Sequence, residues 1–252
     1  MNNENPKLGQ ENAEYPMLKL LKDLPAAALL TEIMTSLYNI TIMVWDENGT
    51  ILCANEVVAR GFRRQTVDEL LGENIAEFGP PEWAQERIEV AQRAIKSNQR
   101  ITLMEILGGY RLRSCYRPLI TTVDGETHKF VAVTIEQITP LEFKHACTQM
   151  PDELILHAQY NDLGRLDVLS PRELEILALM GEGLRAKDIA KQLCRSIKTI
   201  DNHRDNMGHK LGISDRSELI AIAHLAVLRV EDADCKRVQF SKVTQKTTPK
   251  TD

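Results

Sequence analysis

The amino-acid sequence predicts an α+β domain in the N-terminal half of the chain and a separate all-α domain near the C-terminus. Strand-like runs and short helical segments fill the chain up to residue 139, whereas helical spacing dominates after residue 168. The charge also changes sign: residues 1–167 carry −8, residues 168–230 carry +2 and residues 231–252 carry +1. With 252 residues, of which 43% are hydrophobic, the chain is long enough for two domains that each bury a core.

The first 38 residues are predicted to lie outside the α+β domain. Residues 1–16 are rich in Asn, Glu, Gln and Lys and have no apolar period, which predicts a disordered tail. In residues 17–38 apolar side chains recur at three- and four-residue steps on both sides of Pro25, which predicts an N-terminal segment of two short helices.

Five strand-like runs define the α+β domain, residues 39–139. The first two flank Asn48-Gly49, a dipeptide typical of two-residue β-hairpin turns. Between the second and third runs, Asn55 is a predicted N-cap, and Thr66 and Glu69 form a predicted capping box. This order predicts a five-stranded antiparallel sheet with helices on one face. The runs are residues 41–45, 50–53, 100–107, 110–120 and 128–138.

Three features of this domain match the pattern of PAS sensor domains: the hairpin Trp45-Asp-Glu-Asn-Gly49, the following Asn55, and the segment Glu69-Leu-Leu-Gly72-Glu-Asn-Ile. The domain therefore resembles a PAS module. The resemblance implies a hollow between sheet and helices that holds a small ligand, and a sheet face that docks helices or a partner. The haem and flavin patterns of PAS domains are absent from the sequence, so no cofactor is identifiable and the small-molecule ligand is unknown.

Arg111, Arg113 and Arg117 share one face of a predicted strand, because side chains alternate along a strand. One interpretation is a pocket for an anion. The other is a sheet surface that faces solvent or a partner, which we favour because three guanidiniums in a small hollow would need matching anions.

Two polar segments flank the second domain. Residues 140–167 are predicted to form a helical linker, with helical residues 141–148 and a restart at 151–154. Residues 231–252 are predicted to form a disordered polar tail.

The boundaries of helices are unusually clear in residues 168–230. Ser170-Pro171-Arg172-Glu173 combines an N-cap serine, a proline at the first helical position and a capping-box glutamate, and Gly183 follows as a stop signal. A second helix spans about 187–193, and a third begins at Ser196 after a short turn. Two helices joined in this way are typical of a helix-turn-helix, and Asp215 opens a fourth helix.

The third helix has an apolar side and a polar side. At about 100° per residue, Ile200, Met207 and Leu211 share the inward side. The opposite side carries Asn202 and Asp205, whose side chains can contact base edges. Basic residues on this helix and the preceding one are placed to contact phosphates, which supply affinity rather than sequence information. They are Arg185, Lys187, Lys198, Arg204 and Lys210.

The fourth helix is apolar almost all round from residue 219 to residue 228. A domain of this size could not bury all of it alone, so we predict that a second copy covers the excess. The candidate dimer contacts are Leu219, Ile222, Leu225 and Ala226.

Ordered motifs throughout residues 169–223, among them Leu-Ser-Pro-Arg-Glu, Lys-Thr-Ile-Asp-Asn-His-Arg and Lys-Leu-Gly-Ile-Ser-Asp-Arg-Ser-Glu-Leu, resemble the LuxR-type (GerE or NarL/FixJ-like) DNA-binding domain. The resemblance implies a four-helix, DNA-binding, usually dimeric transcriptional regulator. It places the base-reading positions at Asp201, Asn202 and Asp205, and positions near the DNA backbone at Lys198, Thr199, Arg204 and Lys210. Asp201 and Asp205 have an alternative role, because either carboxylate can pair with Lys198 or Arg204 along the helix.

The sequence thus predicts a bacterial, cytoplasmic transcriptional regulator whose helix-turn-helix binds the major groove as a dimer under control of a PAS module. The alternative is a PAS-based interaction adaptor with weak or vestigial DNA binding. An enzyme ranks last, since no Ser/His/Asp set, phosphate loop or kinase histidine region is present, and the widely spaced cysteines predict no metal site. The predicted partners are double-stranded DNA and a second copy of the chain, with RNA polymerase as a further candidate and no membrane.

Overall fold

The computed structural model describes residues 41–123, 125–149 and 154–240. The predicted tail at residues 1–16, the predicted helical segment at residues 17–38 and residues 241–252 of the predicted polar tail lie outside the described residues.

The antiparallel sheet that the sequence predicts is present, with strand order β2-β1-β5-β4-β3. All four neighbouring pairs in this series are antiparallel. Because β2 and β3 lie at opposite ends of this series, the chain that connects them crosses one face of the sheet. The strands are β1 (Thr41–Asp46), β2 (Ile51–Ala54), β3 (Ile101–Leu107), β4 (Tyr110–Val123) and β5 (Glu126–Gln137).

Helix α1 (Glu56–Gly61) and the longer α2 (Pro81–Ser97) cover the face crossed by this connection. The side chain of Asn55 accepts a hydrogen bond from the Val58 backbone N–H, as expected of an N-cap. The capping box predicted at Thr66 is wrong, because its side chain makes no capping hydrogen bond and the segment Val67–Glu69 is only a 3₁₀ turn. Glu69 instead accepts a hydrogen bond from the backbone N–H of Gln65.

The segment predicted to be a helical linker is only partly helical. Helix α3 (Pro140–Gln149) is followed by β6 (Leu154–His157), which pairs in parallel with β3 and makes the sheet six-stranded. Leu154 and Leu156 pack against the core under the helices, whereas Ile155 packs on the other side with Phe143. This two-residue alternation is a strand pattern, so the predicted helical restart is wrong from Leu154 onward.

Four helices form the C-terminal domain, as the sequence predicts. Their shared core contains Leu174, Leu177, Ile189, Ile200 and Met207, all fully buried. The helices are α4 (Pro171–Gly181), α5 (Ala186–Gln192), α6 (Ile197–Leu211) and α7 (Arg216–Leu225).

Residues 226–240, which we call the C-terminal strap, return to the first domain. The strap contains a 3₁₀ helix, Val230–Asp234, and the strand β8 (Lys236–Arg237), which pairs in parallel with β7 (Tyr160–Asn161). The prediction of a disordered tail is therefore wrong for residues 231–240. The polar composition of these residues did not indicate that two apolar side chains would anchor them. Ala233 is buried in the helical core, and Val238 is buried in the core of the first domain.

Among the helices of the described part of the chain, none combines the length and the apolar character needed to cross a bilayer.

Candidate DNA interface and sensor cavity

Helix α6 is capped at both ends. The Ser196 side chain accepts a hydrogen bond from the Thr199 backbone N–H at 3.1 Å, which caps the N-terminus. Gly212 ends the helix in a left-handed conformation with φ 68°. Local hydrogen bonds and backbone geometry thus fix where the helix begins and ends.

The two sides of α6 are those that the sequence predicts. Ile200 and Met207 are fully buried in the helical core. Lys198, Asn202 and Asp205 are exposed. The helix therefore presents a polar side to solvent, where a duplex could approach it.

The predicted base-contact residues differ in their surroundings. Arg204 donates a hydrogen bond to the Asp201 carboxylate at 2.8 Å, which is the helix pairing expected as the alternative for Asp201. Exposed pairs of this kind contribute about 0–1 kcal/mol, so DNA phosphates could compete for Arg204. Asn202 and Asp205 are more exposed than Asp201, and their side chains project from the solvent side of the helix.

Lys210, predicted to lie near the DNA backbone, connects α6 to the start of α4. Its ammonium group donates to the Glu173 carboxylate at 2.7 Å, and Glu173 also accepts hydrogen bonds from Ser170 in the capping box. Burial alone would raise the pKa of Glu173, but the hydrogen bonds from Lys210 and Ser170 lower it below its ordinary value. Lys210 therefore has a structural partner in the absence of DNA.

The remaining backbone candidates lie near the N-termini of α5 and α6. Arg185 and Lys187 are exposed at the start of α5, and Thr199 is half-buried in the first turn of α6. Sequence reasoning overlooked Lys191 and Arg195, which are exposed at the end of α5 and in the turn before α6. The sequence could have indicated them as phosphate-contact candidates, because both are basic residues beside the predicted turn.

The predicted dimer contacts on α7 are divided by burial. Leu219 and Ala226 are buried in the protein's own helical core, so they cannot form an exposed contact surface. Leu225 is 49% exposed and Ile222 is half-buried. Part of the apolar surface that we expected a second copy to cover is covered by the chain itself, because α7 packs closely on α4.

A partly open cavity of about 320 Å³ lies between the sheet and the helices of the first domain. Its lining includes Trp45 and Trp83, the two tryptophans of the chain. Their indole N–H groups are buried and have no hydrogen-bond partner in the part of the chain described. Tyr116 also lines the cavity, and burial raises its pKa well above the ordinary value, so its hydroxyl stays neutral.

A buried ion pair forms the polar part of the cavity wall. The guanidinium of Arg87 donates to the Glu105 carboxylate at 2.5 Å and to the carbonyl oxygens of Trp83 and Tyr160 at 3.2 Å. Glu86 accepts a further hydrogen bond from Arg87 at 2.7 Å. Burial alone would lower the pKa of Arg87, but the Glu105 carboxylate raises it above its ordinary value, so the guanidinium stays charged.

The three arginines on one face of β4 have different surroundings and do not share a pocket. Arg111 is buried, forms an ion pair with Asp232 of the strap and donates to the Val227 carbonyl oxygen at 3.2 Å. Arg113 pairs with Glu136 at 2.6 Å, whereas Arg117 is exposed. The sheet-surface interpretation therefore holds for Arg111, whose partner is a segment of the same chain.

The second domain matches a known protein family. Residues 167–223 match the family described as bacterial regulatory proteins, luxR family. These residues form a LuxR-type helix-turn-helix domain. Its four helices and the amphipathic α6 agree with the prediction from sequence, and the antiparallel sheet with helices on one face agrees with the PAS-like fold predicted for the first domain.

The curated relatives are similar to a short part of the chain. The oxygen regulatory protein NreC of Staphylococcus haemolyticus is 37% identical over 79 residues, and NreC of Staphylococcus aureus is 34% identical over the same length. Each match covers 30% of this chain and 36% of the relative. The chain therefore spans about a third of the length of the curated relatives it matches.

Some solved structures are similar over a larger share of the chain, but with low TM-scores. A VqmA–ligand–DNA complex from Vibrio cholerae is 18% identical, covering 79% of this chain and 88% of VqmA with a TM-score of 0.43. The PAS domain of Bordetella pertussis BvgS is 18% identical, covering 48% of this chain and 96% of that domain with a TM-score of 0.35. At these scores the fold assignment depends on the observed strand order and helices instead.

Proposed function

We propose that this chain is a non-enzymatic, cytoplasmic transcriptional regulator that binds DNA as a dimer through its LuxR-type domain. The observation that carries the proposal is the family match over residues 167–223 together with an α6 that buries Ile200 and Met207 and exposes its polar side. A helix of this kind can enter the major groove, where base edges carry sequence information.

Within this proposal, residues of α6 divide into two roles. Asn202 contacts a base edge, because its amide can donate to and accept from adenine, and Asp205 beside it can accept from a cytosine amino group. Lys198 contacts a phosphate near the start of the helix, with Arg185 and Lys187 on α5 and with Lys191 and Arg195 at the turn. Asp201 and Arg204 exchange their mutual ion pair for DNA contacts, and Thr199 and Lys210 lie near the backbone.

The dimer contact is assigned to the exposed part of α7, at Leu225 and Ile222. A two-fold dimer would place two copies of α6 on successive major-groove faces about 34 Å apart. RNA polymerase is a candidate further partner.

The first domain controls DNA binding through its contacts with the second. Arg111 of the sheet holds the strap, and the strap shares a core with α4 and α7. A ligand or partner that favours one arrangement of the two domains would shift the population able to bind DNA.

Selection from random double-stranded DNA with the full chain tests the main proposal. We expect a sequence with two half-sites to be enriched. Asn202→Ala should cost about 1–3 kcal/mol at one base position and relax selectivity there, because the amide can make two hydrogen bonds to adenine. Failure to enrich any sequence would favour the alternative, an interaction adaptor with vestigial DNA binding.

The salt dependence of affinity tests the phosphate contact of Lys198. Lys198→Ala should weaken binding to all sequences and reduce the slope of log affinity against log salt by about 1. Lys96→Ala is the matched control, since it removes the same charge from the exposed side of α2, far along the chain from α6. Equal slopes for the two variants would remove Lys198 from the interface.

A further inference from the structure

The C-terminal strap supplies part of the wall of the sensor cavity. After β8 pairs with β7, the backbone N–H of Val238 donates to the Asn161 carbonyl oxygen at 3.0 Å, and the Val238 side chain is buried in the core of the first domain. Phe240 then lies edge-on against Trp83, with ring centroids 4.9 Å apart, and lines the cavity. A cavity formed by the first domain is thus completed by a segment that follows the second.

The other end of the strap is fixed to the LuxR-type domain. Ala233 is buried in the helical core. Arg237 donates to the carbonyl oxygens of Asp167 and Leu169 at 2.9 and 2.8 Å, immediately before the N-cap of α4. One ordered segment of about fifteen residues therefore touches both the DNA-binding helices and the cavity.

The charges around the cavity are balanced, and the buried Arg87 and Glu105 are paired with each other. The charged lining residues are Arg63, Arg87, Glu105 and Asp162. Glu105 accepts hydrogen bonds from Arg87 and Ser114, and Asp162 accepts one from the Gly164 backbone N–H at 2.9 Å. A ligand with a net charge beside the buried Arg87 and Glu105 would have to break their ion pair or remain without a counter-ion, and both are costly.

The rest of the lining is apolar and rich in aromatic rings. It includes Met43, Val58, Phe62, Phe78, Trp83 and Phe240. The volume of about 320 Å³ lies at the lower end of the range of small-molecule sites. Such a wall suits a compact molecule that presents a flat apolar surface.

We propose that the cavity binds a small, uncharged, largely apolar molecule, and that Phe240 makes this binding conditional on a docked C-terminal strap. The inference rests on the proposed function, because it names the ligand class and the linkage for the same sensor domain. A ligand that contacts Phe240 binds the docked strap more tightly than the released strap, so it stabilises the docked arrangement, and strap release lowers its affinity by the same factor.

Intrinsic fluorescence offers a direct measurement, since both tryptophans of the chain line the cavity. Three probes of similar shape, phenylacetamide, phenylacetate and 2-phenylethylammonium, would be titrated into the full chain. We expect saturable binding of neutral phenylacetamide at a lower concentration than either charged probe. Equal or tighter binding of a charged probe, or no saturable change with any of the three at millimolar concentrations, would overturn the ligand class.

Phe240→Ala tests the contribution of the strap. We expect its affinity for phenylacetamide to fall about three- to tenfold, the equivalent of one aromatic contact. Tyr110→Ala, which removes an exposed ring outside the cavity lining, should leave the affinity unchanged. Unchanged affinity in Phe240→Ala would overturn the role of the strap.

Limited trypsin digestion measures the linkage itself. Phenylacetamide should slow cleavage after Lys236 and Arg237, because cleavage requires the strap to open. Cleavage after Arg195, exposed in the turn before α6, is the internal control and should not change. Equal rates at the strap with and without the probe would overturn the linkage. The α6 variants leave the cavity intact, so a failure of DNA binding would be distinguishable from a failure here.

Discussion

The carboxylate of Glu173 connects a local capping motif to the recognition helix. It accepts from the backbone N–H of Ser170 at 2.7 Å and from the Ser170 hydroxyl at 2.9 Å, as the capping box predicts. The third donor is Lys210 at 2.7 Å, from a helix 37 residues further along the chain. The motif revealed the local pair, whereas the Lys210 contact required the packing of α6 on α4.

The stability of the LuxR-type domain should therefore depend on the charge of Glu173. Because its pKa is lower in the folded than in the unfolded chain, its stabilisation is complete above the ordinary value of 4.5 and is lost as pH falls through the folded pKa. We expect Glu173→Gln to lower the free energy of unfolding by about 1–2 kcal/mol at neutral pH and to flatten its decline below pH 4.5. Urea denaturation across this pH range measures both effects.

Glu175→Gln is the control for this comparison. Glu175 pairs with Arg172 on a partly exposed helix surface, so its loss should cost at most about 1 kcal/mol. If the free energy of unfolding depends on pH in the same way in the wild type and in Glu173→Gln, the Glu173 carboxylate is not coupled to folding.

At the scale of the elements, sequence patterns were reliable where burial and local signals agreed. Helix α6 was predictable because its apolar side, its Ser196 cap and its Gly212 stop all agree. Strand β6 was missed because it is only four residues long, its three apolar residues are consecutive, and its partner β3 lies about fifty residues earlier. The partial burial of α7 was missed because its cover comes from α4, whose position is not visible in the α7 sequence.

Gly208 in α6 lies so close to the Ile213 backbone that we expect alanine to be unfavourable there, contrary to its helix propensity. A Cβ atom at Gly208 of α6 would lie 2.5 Å from the Ile213 carbonyl oxygen, and a backbone atom cannot rotate away. We expect Gly208→Ala to destabilise the protein by about 1–3 kcal/mol, although alanine favours helices by about 1 kcal/mol over glycine. Chemical denaturation of the full chain measures the change.

Gly61 provides the matched control in α1. A Cβ atom there would have no neighbour within 4 Å, so Gly61→Ala should leave stability unchanged or raise it by up to about 1 kcal/mol. Equal effects of the two substitutions would mean that α6 and the Ile213 loop can separate without cost.

For the molecule as a whole, the strap joins two domains that the sequence suggested were connected only by a linker. Val227 packs with Met104, Ile138 and Phe143 on the outer side of the sheet. It does so with φ of 42°, an unfavourable conformation for a β-branched residue that its surroundings must maintain. Together with the Arg111–Asp232 pair, this contact predicts that the two domains unfold as one unit.

Asp232→Asn should uncouple the unfolding of the two domains. The substitution keeps an oxygen for the hydrogen bond that Asp232 accepts from the Arg229 backbone N–H, but it leaves the buried guanidinium of Arg111 without a counter-charge. We expect a cost of about 3–5 kcal/mol and the separation of one calorimetric unfolding transition into two. Glu231→Gln, which removes the neighbouring charge at an exposed position, should leave a single transition close to that of the wild type.

A double variant separates the loss of the ion pair from a general disturbance of the strap. Arg111→Met in the Asp232→Asn background removes the uncompensated charge while it retains an unbranched side chain of similar length over Phe143. Because breaking a buried pair is more costly than replacing both charges, the double variant should be more stable than Asp232→Asn alone. If the single transition persists in Asp232→Asn, the domains are held together by the apolar contact of Val227, and the ion pair serves only to make burial of Arg111 tolerable.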